Sequence, residues 1–236
     1  MTSTPVKFIC LKWGTKYGPE YVNRLYGSLI KHYAEPFEFY CFTDDVNGLK
    51  EDIKTRDIAT LRPIESDCFT LEKLFLFQGL DFEGPYCLFD IDILIKGDLT
   101  DYFHRYDFSE PRFAVCARDD SDFDYVEMAP VFSQFGMCYV NSSFVTWTGD
   151  QLKWMPEFYL ANRRVLDYKY KDLDTFLFQS VLRRMRFHPR SLLYSYNHDH
   201  TEKNIPIVIF NTSHGVGDEL HEAAEWVTSI WKSYDA

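Results

Sequence analysis

Cysteine is present without a pattern: six residues (Cys10, Cys41, Cys68, Cys87, Cys116 and Cys138) and no Cys-x-x-Cys pair. That spacing gives neither a zinc ribbon nor a disulfide framework. Cys10, Cys41, Cys87 and Cys116 sit inside apolar, strand-like runs, as free thiols in a reducing compartment do. Long apolar runs are missing too. The longest, Tyr86 to Ile95, holds two aspartates and falls far short of the roughly 20 residues a membrane helix needs. The first residues, Met1-Thr2-Ser3-Thr4-Pro5-Val6-Lys7-Phe8, carry no basic-then-apolar leader, so a cytoplasmic protein without a membrane span is expected. Basic tracts are scarce: 25 Lys and Arg face 36 Asp and Glu, for a net charge of −11. Such a surface repels a nucleic-acid backbone. The densest basic cluster, Arg183, Arg184 and Arg186, is expected at a helix end, where it complements the helix dipole. Repeats, low-complexity tracts and linkers are absent, which leaves one domain over residues 1–236.

What is abundant is aromatic: 21 Phe, 16 Tyr and 5 Trp make 18% of the chain. Most serve the core, and Tyr and Trp also provide platforms for sugars and nucleobases. The pattern in the first half is strand, helix, strand. Val6–Leu11 reads as a strand that runs into the turn Lys12–Pro19. Glu20–His32 is helical by the spacing of Tyr21, Val22, Leu25, Tyr26, Leu29 and Ile30. Phe37–Phe42 is a second strand, Thr70–Gly79 a helix and Tyr86–Phe89 a buried strand. These short alternations predict parallel βαβ units. Further on, Phe113–Ala117 and Met137–Trp147 read as strands, Leu152–Leu166 and Asp172–Met185 as helices, Ile205–Phe210 as a strand and Leu220–Trp231 as a closing amphipathic helix.

Chemistry concentrates at Asp90-Ile91-Asp92. A bend at the end of a strand aims both carboxylates into one place, and paired carboxylates suit a hard divalent cation with positions left for phosphate. Asp-x-Asp recurs at Asp120/Asp122, Asp122/Asp124 and Asp172/Asp174. The first pair stands apart by its context. Apolar residues flank it on both sides, where charge is costly unless compensated, and it follows a strand end, where α/β sheets bind ligands.

The order of features resembles the GT-A glycosyltransferases, in particular family 8 and its relatives. The quoted segments are Phe8 to Gly18, Phe42-Thr43-Asp44-Asp45, Leu71-Glu72-Lys73-Leu74, Leu88 to Asp92, Val140-Asn141-Ser142-Ser143-Phe144 and Ile207 to Gly217. The resemblance implies a single GT-A, Rossmann-like α/β domain with a mixed, mostly parallel sheet and helices on both faces. Residues 1–100 would form the nucleotide-binding half and 101–236 the acceptor-binding half. It implies transfer of a sugar from a nucleotide diphosphate sugar, with UDP favoured, to a saccharide or other hydroxyl acceptor, with retention at the anomeric carbon.

Mn²⁺ or Mg²⁺ would be held by Asp90, Asp92 and His214, the histidine matching the family's His-x-x-Gly through Gly217. Leu11, Lys12, Trp13, Gly14 and Tyr17 would line the base, with Tyr17 or Trp13 stacking on it. Thr43 and Asp44 suit a base or ribose edge, and Lys73 suits a phosphate or a carboxylate partner. Ile91 lies between the metal aspartates. Asn141 and Ser142 resemble donor-sugar contacts, and Asp174, with Asp172 beside it, is expected to approach the reacting sugar. Tyr194 to His200 would line the acceptor cleft. His198 and His200 are alternative metal ligands, against the plainer reading of a solvated loop. The family's Lys-Pro-Trp after His-x-x-Gly is replaced by Asp218, Glu219 and Leu220, which leaves Lys12, Lys16 or Lys203 to meet the diphosphate. Two other readings fit parts of the pattern: a catalytically impaired nucleotide-sugar-binding module, and a phosphatase of the haloacid-dehalogenase type. The latter wants its Asp-x-Asp near the N-terminus.

Overall fold

The computed structural model describes residues 4–61, 69–78, 80, 84–106, 108–115, 140–169, 173–177, 186–197, 199–210 and 219–235. Strand β1 (Val6–Lys12) is buried at every position, as a central parallel strand covered on both faces must be. It pairs in parallel with β2 (Phe37–Thr43) and with β4 (Pro85–Phe89). Helix α1 (Pro19–His32) joins β1 to β2. Pro19 opens it and Lys31 and His32 close it, which suits proline's fixed φ and the helix dipole. β2 pairs in parallel with the edge strand β3 (Lys54–Asp57). On the other side β4 meets β7 (Val140–Thr148) antiparallel, β7 meets β6 (Arg112–Val115) antiparallel, and β6 meets the short β8 (Arg186–Phe187) in parallel. The sheet order is therefore β3-β2-β1-β4-β7-β6-β8, mixed and mostly parallel as expected.

The two faces carry separate cores. Phe8, Cys10, Cys41, Cys87 and Phe89 face α1, through Tyr21, Val22, Leu25 and Leu29, and the last helix, α5 (Glu225–Lys232), through Val227 and Trp231. Ile9, Leu11, Tyr40, Phe42, Tyr86 and Leu88 face the 3-10 helix Phe69–Gln78, α3 (Trp154–Lys169) and the helical turn α4 (Leu173–Phe176). Helices thus cover both faces. The described thiols Cys10, Cys41 and Cys87 are free and buried. Among the described residues no helix is long and apolar enough to cross a membrane.

Several boundaries differ from those read in the sequence. The expected α-helix over Thr70–Gly79 is a 3-10 helix. Leu71, Leu74, Phe75, Leu76 and Phe77 are all buried, so no polar stripe sets a 3.6-residue period, and three residues per turn align Leu71, Leu74 and Phe77. The closing helix begins at Glu225 rather than Leu220. Leu220 and Ala223 are buried in a turn instead, and the Ala224 amide donates to the Tyr196 hydroxyl at 2.9 Å. Arg186 lies in strand β8, and its Nε donates to Glu110 at 3.1 Å. Arg183, Arg184 and most of the helix read over Asp172–Met185 lie outside the described residues.

A second, three-stranded sheet went unread in the sequence. β5 (Leu94–Ile95), β10 (Ile207–Ile209) and β9 (Leu193–Ser195) assemble in the order β5-β10-β9. α2 (Thr100–Arg105) follows β5. β10 runs antiparallel to β5, with Val208 opposite Leu94, so the chain leaves β10 at Phe210 beside the turn that carries Asp92.

Candidate active site

In the order β3-β2-β1-β4 the chain winds one way from β1 to β2 and the other way from β1 to β4. The carboxyl ends of β1 and β4 therefore flank a topological switch point, the place where open α/β sheets form a crevice. Asp90 follows β4 directly. Its amide donates to the Ser143 carbonyl at 2.9 Å, extending the ladder between β4 and β7 by one bond. Its carboxylate is held twice: Oδ1 by the Lys73 ammonium at 2.5 Å and Oδ2 by the Ser143 hydroxyl at 2.8 Å. Asp92 Oδ2 accepts from the Tyr17 hydroxyl at 2.9 Å, and no other described side chain donates to it. Ile91, between the two, is buried.

Lys73 comes from the 3-10 helix and is buried, with its ammonium also 3.3 Å from Ser142 Oγ. Burial opposes its charge, but Asp90, Asp174 and Asp92 together hold its pKa above the usual lysine value. Asp174, on α4, accepts from the Ser142 amide at 2.9 Å and from Asn141 Nδ2 at 3.3 Å. Asn141, Ser142 and Ser143 reach the same place because the register between β6 and β7 slips there: Phe113 pairs with Val145, but Ala114 pairs with Asn141. Such an irregularity re-aims side chains that strict alternation would send to opposite faces. Asp92 is pushed up to about 6 by burial and then by the charge of Asp90. Asp174 is also pushed up to about 6 by burial, against the pull of Lys73.

Three carboxylates thus share one ammonium in a desolvated pocket. That donor set, oxygen-rich and short of positive charge, fits a hard divalent cation at Asp90 and Asp92. Among the described residues no third histidine, cysteine or carboxylate completes a metal-holding group with them. His214, expected as the third ligand, lies outside the described residues, as do Asp172 and His198.

The first loop is tied to its neighbours. Gly14, at φ +66°, takes a conformation that suits only glycine without strain, and its amide donates to both oxygens of Asp44, at 3.2 and 2.9 Å. Thr43 keeps its hydroxyl for the next turn, donating to the Asp45 carbonyl at 2.9 Å. Leu11 and Lys12 are buried at the end of β1. The three lysines considered for the diphosphate have different surroundings. Lys203 pairs with Asp199 at 2.9 Å, Lys16 lies 3.5 Å from Glu219, and Lys12 has no ion-pair or hydrogen-bond partner among the described residues. Tyr194 lies in β9 and Tyr196 is buried, with His200 stacked on it at 4.6 Å.

Ser143 and the aromatic clasp around Tyr17 were missed as site features. Tyr21, packed 4.7 Å from the Tyr17 ring, meets His221 Nδ1 at 2.8 Å. A serine that follows two other polar residues in a buried strand was the available signal for Ser143. Nothing local foretold His221, about 200 residues from Tyr21.

The sheet order, the Asp-x-Asp at the switch point and the small second sheet together define a GT-A glycosyltransferase fold. The solved structures this chain is similar to bear that out. The galactosyltransferase LgtC, crystallised with donor and acceptor sugar analogues, superposes with a TM-score of 0.63 at 12% identity, covering 98% of this chain and 96% of that one. The glycosyltransferase GlyE of Streptococcus pneumoniae gives 0.61 at 14% identity, over 98% of this chain and 60% of that one. Mouse xyloside xylosyltransferase 1 gives 0.53 at 9% identity, over 87% and 97%. No protein-family model and no curated protein matches the sequence.

Proposed function

We propose that the protein is a metal-dependent glycosyltransferase that moves a sugar from a nucleotide diphosphate sugar, with UDP favoured, to a saccharide or other hydroxyl acceptor. The observation that carries this reading is the Asp90/Asp92 pair at the switch point, meshed through Lys73 and Ser142 with Asp174. Asp90, Asp92 and His214 would hold Mn²⁺ or Mg²⁺. When bound, the ion supplies Lewis-acid stabilisation of the charge that grows on a departing nucleoside diphosphate.

The chain's own residues do the rest. Lys73 pairs with Asp90 and fixes its direction. Ser143 holds the opposite oxygen, so Asp90 presents a set edge to ribose or ion. Asp174 is anchored by Asn141 and the Ser142 amide and stands near the donor-sugar contacts, where a carboxylate can steady positive charge at an anomeric carbon. Lys12 and Lys16 are the lysines nearest the first loop that can meet the diphosphate. Residues 1–100 serve the nucleotide and 101–236 the acceptor. Retention at the anomeric carbon is the outcome we assign to the family-8-like arrangement. The free buried thiols favour a reducing, cytoplasmic setting.

The test is donor hydrolysis and a thermal-shift screen of nucleotide sugars with and without Mn²⁺, in the unsubstituted protein and in Asp92→Asn. A bound ligand raises the melting temperature according to its concentration and affinity. The reading expects a Mn²⁺-dependent shift and slow hydrolysis, both lost in the variant. A shift without turnover would make the protein a binding module, phosphate-ester cleavage a phosphatase, and no shift with any donor would overturn the proposal.

A further inference from the structure

The first loop carries two aromatic rings, Trp13 and Tyr17, and their surroundings differ. Tyr17 has its ring against Tyr21 at 4.7 Å, the Lys16 ammonium 4.6 Å from its centroid, and its hydroxyl on Asp92 Oδ2 at 2.9 Å. It is therefore occupied on its ring and at its tip. Trp13 is partly buried against the core that Ile9, Leu11, Tyr40 and Phe42 help to form, and makes no aromatic ring contact among the described residues.

We propose that Tyr17 is a positioning residue for the carboxylate of Asp92, its hydroxyl holding Oδ2 and leaving the other oxygen for an ion, while stacking on the donor's base falls to Trp13. The inference rests on the metal-site reading above. An ion-binding carboxylate needs its second oxygen tethered, or it loses rotational freedom each time the ion binds; partners outside the ligand set commonly set affinity in this way. Asp90 has such tethers in Lys73 and Ser143. Asp92 has, among the described residues, one side-chain tether, Tyr17. The tether is itself braced. The Tyr17 ring rests on Tyr21, the Tyr21 hydroxyl meets His221, and Lys16 meets Glu219. Loop one, α1 and the chain leading into α5 are thereby joined around a single hydroxyl.

The experiment is Mn²⁺ binding to the full chain, read as free Mn²⁺ by electron paramagnetic resonance, alongside UDP binding. Tyr17→Phe keeps the ring and removes the hydroxyl. It should weaken Mn²⁺ about tenfold, the size expected for a partner that orients a ligand. Tyr21→Phe keeps the ring on which Tyr17 rests and the Tyr17–Asp92 bond, removes only the bracing hydroxyl on His221, and should weaken Mn²⁺ less than Tyr17→Phe does. Trp13→Ala should weaken UDP and leave Mn²⁺ unchanged. Unaltered Mn²⁺ affinity in Tyr17→Phe, with affinity lost in Asp92→Asn, overturns the role given to Tyr17 and leaves the metal site standing. No Mn²⁺ binding by the unsubstituted protein, or full binding by Asp92→Asn, overturns the metal site and this inference with it.

Discussion

Replacing Lys73 by methionine tests whether one buried ammonium holds the site together. The ammonium side chain is 10% exposed and lies 2.5 Å from Asp90 Oδ1 and 3.3 Å from Ser142 Oγ. Methionine fills much of the same volume, so the loss is chiefly of charge. Removing one partner of a buried ion pair costs about 3–5 kcal/mol, because the other is left uncompensated. In a chain of this length that lowers the melting temperature by roughly 10 °C, at about 2–4 °C per kcal/mol. Acid should then restore part of the loss. Asp92 and Asp174 already have carboxyls pushed up to about 6 with Lys73 in place, and without it they rise further. A carboxyl raised in the folded state stabilises below its unfolded value of about 3.9, and that contribution is lost as pH rises through the folded value. The gap between Lys73→Met and the unsubstituted protein should therefore narrow from pH 7.5 to pH 5 in melts recorded with EDTA. A gap under 3 °C at pH 7.5 on the scale just given, or one that acid leaves unchanged, would refute Lys73 as the counter-ion.

Four further outcomes follow from the same geometry. The unsubstituted protein in EDTA should itself melt higher at pH 5 than at pH 7.5, since Asp92 and Asp174 titrate at about 6; both are partly exposed, so each contributes only about 1 kcal/mol. Ser143→Ala removes the hydroxyl on Asp90 Oδ2 and should cost about 1.5–3 kcal/mol, the range for a bond to a charged group, read as a lower urea midpoint at unchanged slope. Asp174→Asn should lower donor turnover while leaving Mn²⁺ affinity within about twofold, because Asp174 bonds Ser142 and Asn141 and neither Asp90 nor Asp92. Brief alkylation of the native protein, mapped by mass spectrometry, should leave Cys10, Cys41 and Cys87 unmodified, since all three are buried and burial pushes the Cys10 and Cys87 thiols well above the usual value.

Much of this fold is legible in the sequence because its elements announce themselves locally. The continuous apolar run of β1 and the spacing of Tyr21, Val22, Leu25 and Leu29 are set by which faces are buried, and a reader of periodicity sees them. The elements that were not legible are short and stabilised from elsewhere. β5 has two residues and β8 two; neither carries a period, and each exists because a distant strand offers its ladder. The 3-10 helix Phe69–Gln78 buries Leu71, Leu74, Phe75, Leu76 and Phe77 in near-succession, so its sequence names a buried helix but not its pitch. The site divides in the same way. Asp90, Asp92, Lys73, Asn141, Ser142 and Asp174 were expected together and lie together. Ser143 and the Tyr17 tether depend on a slip in register and on a loop folding back across the sheet, which no window of sequence contains.

The second sheet brings the described far end of the chain up against the Asp90/Asp92 turn. β10 pairs with β5, and β5 begins two residues after Asp92. The end of β10 is therefore fixed against the turn that carries the carboxylate pair. On the other side Glu219 meets Lys16, His221 meets Tyr21, and Tyr17 between them reaches Asp92. The chain before residue 211 and the chain after residue 218 are each anchored close to Asp92 by contacts that do not depend on residues 211–218. Severing one anchor should therefore be felt at Asp92 and the metal site proposed there. Lys16→Glu, which sets a carboxylate against Glu219, should weaken Mn²⁺ binding without altering any residue proposed as a ligand. Unchanged affinity there would mean that the anchors serve the fold and not the site.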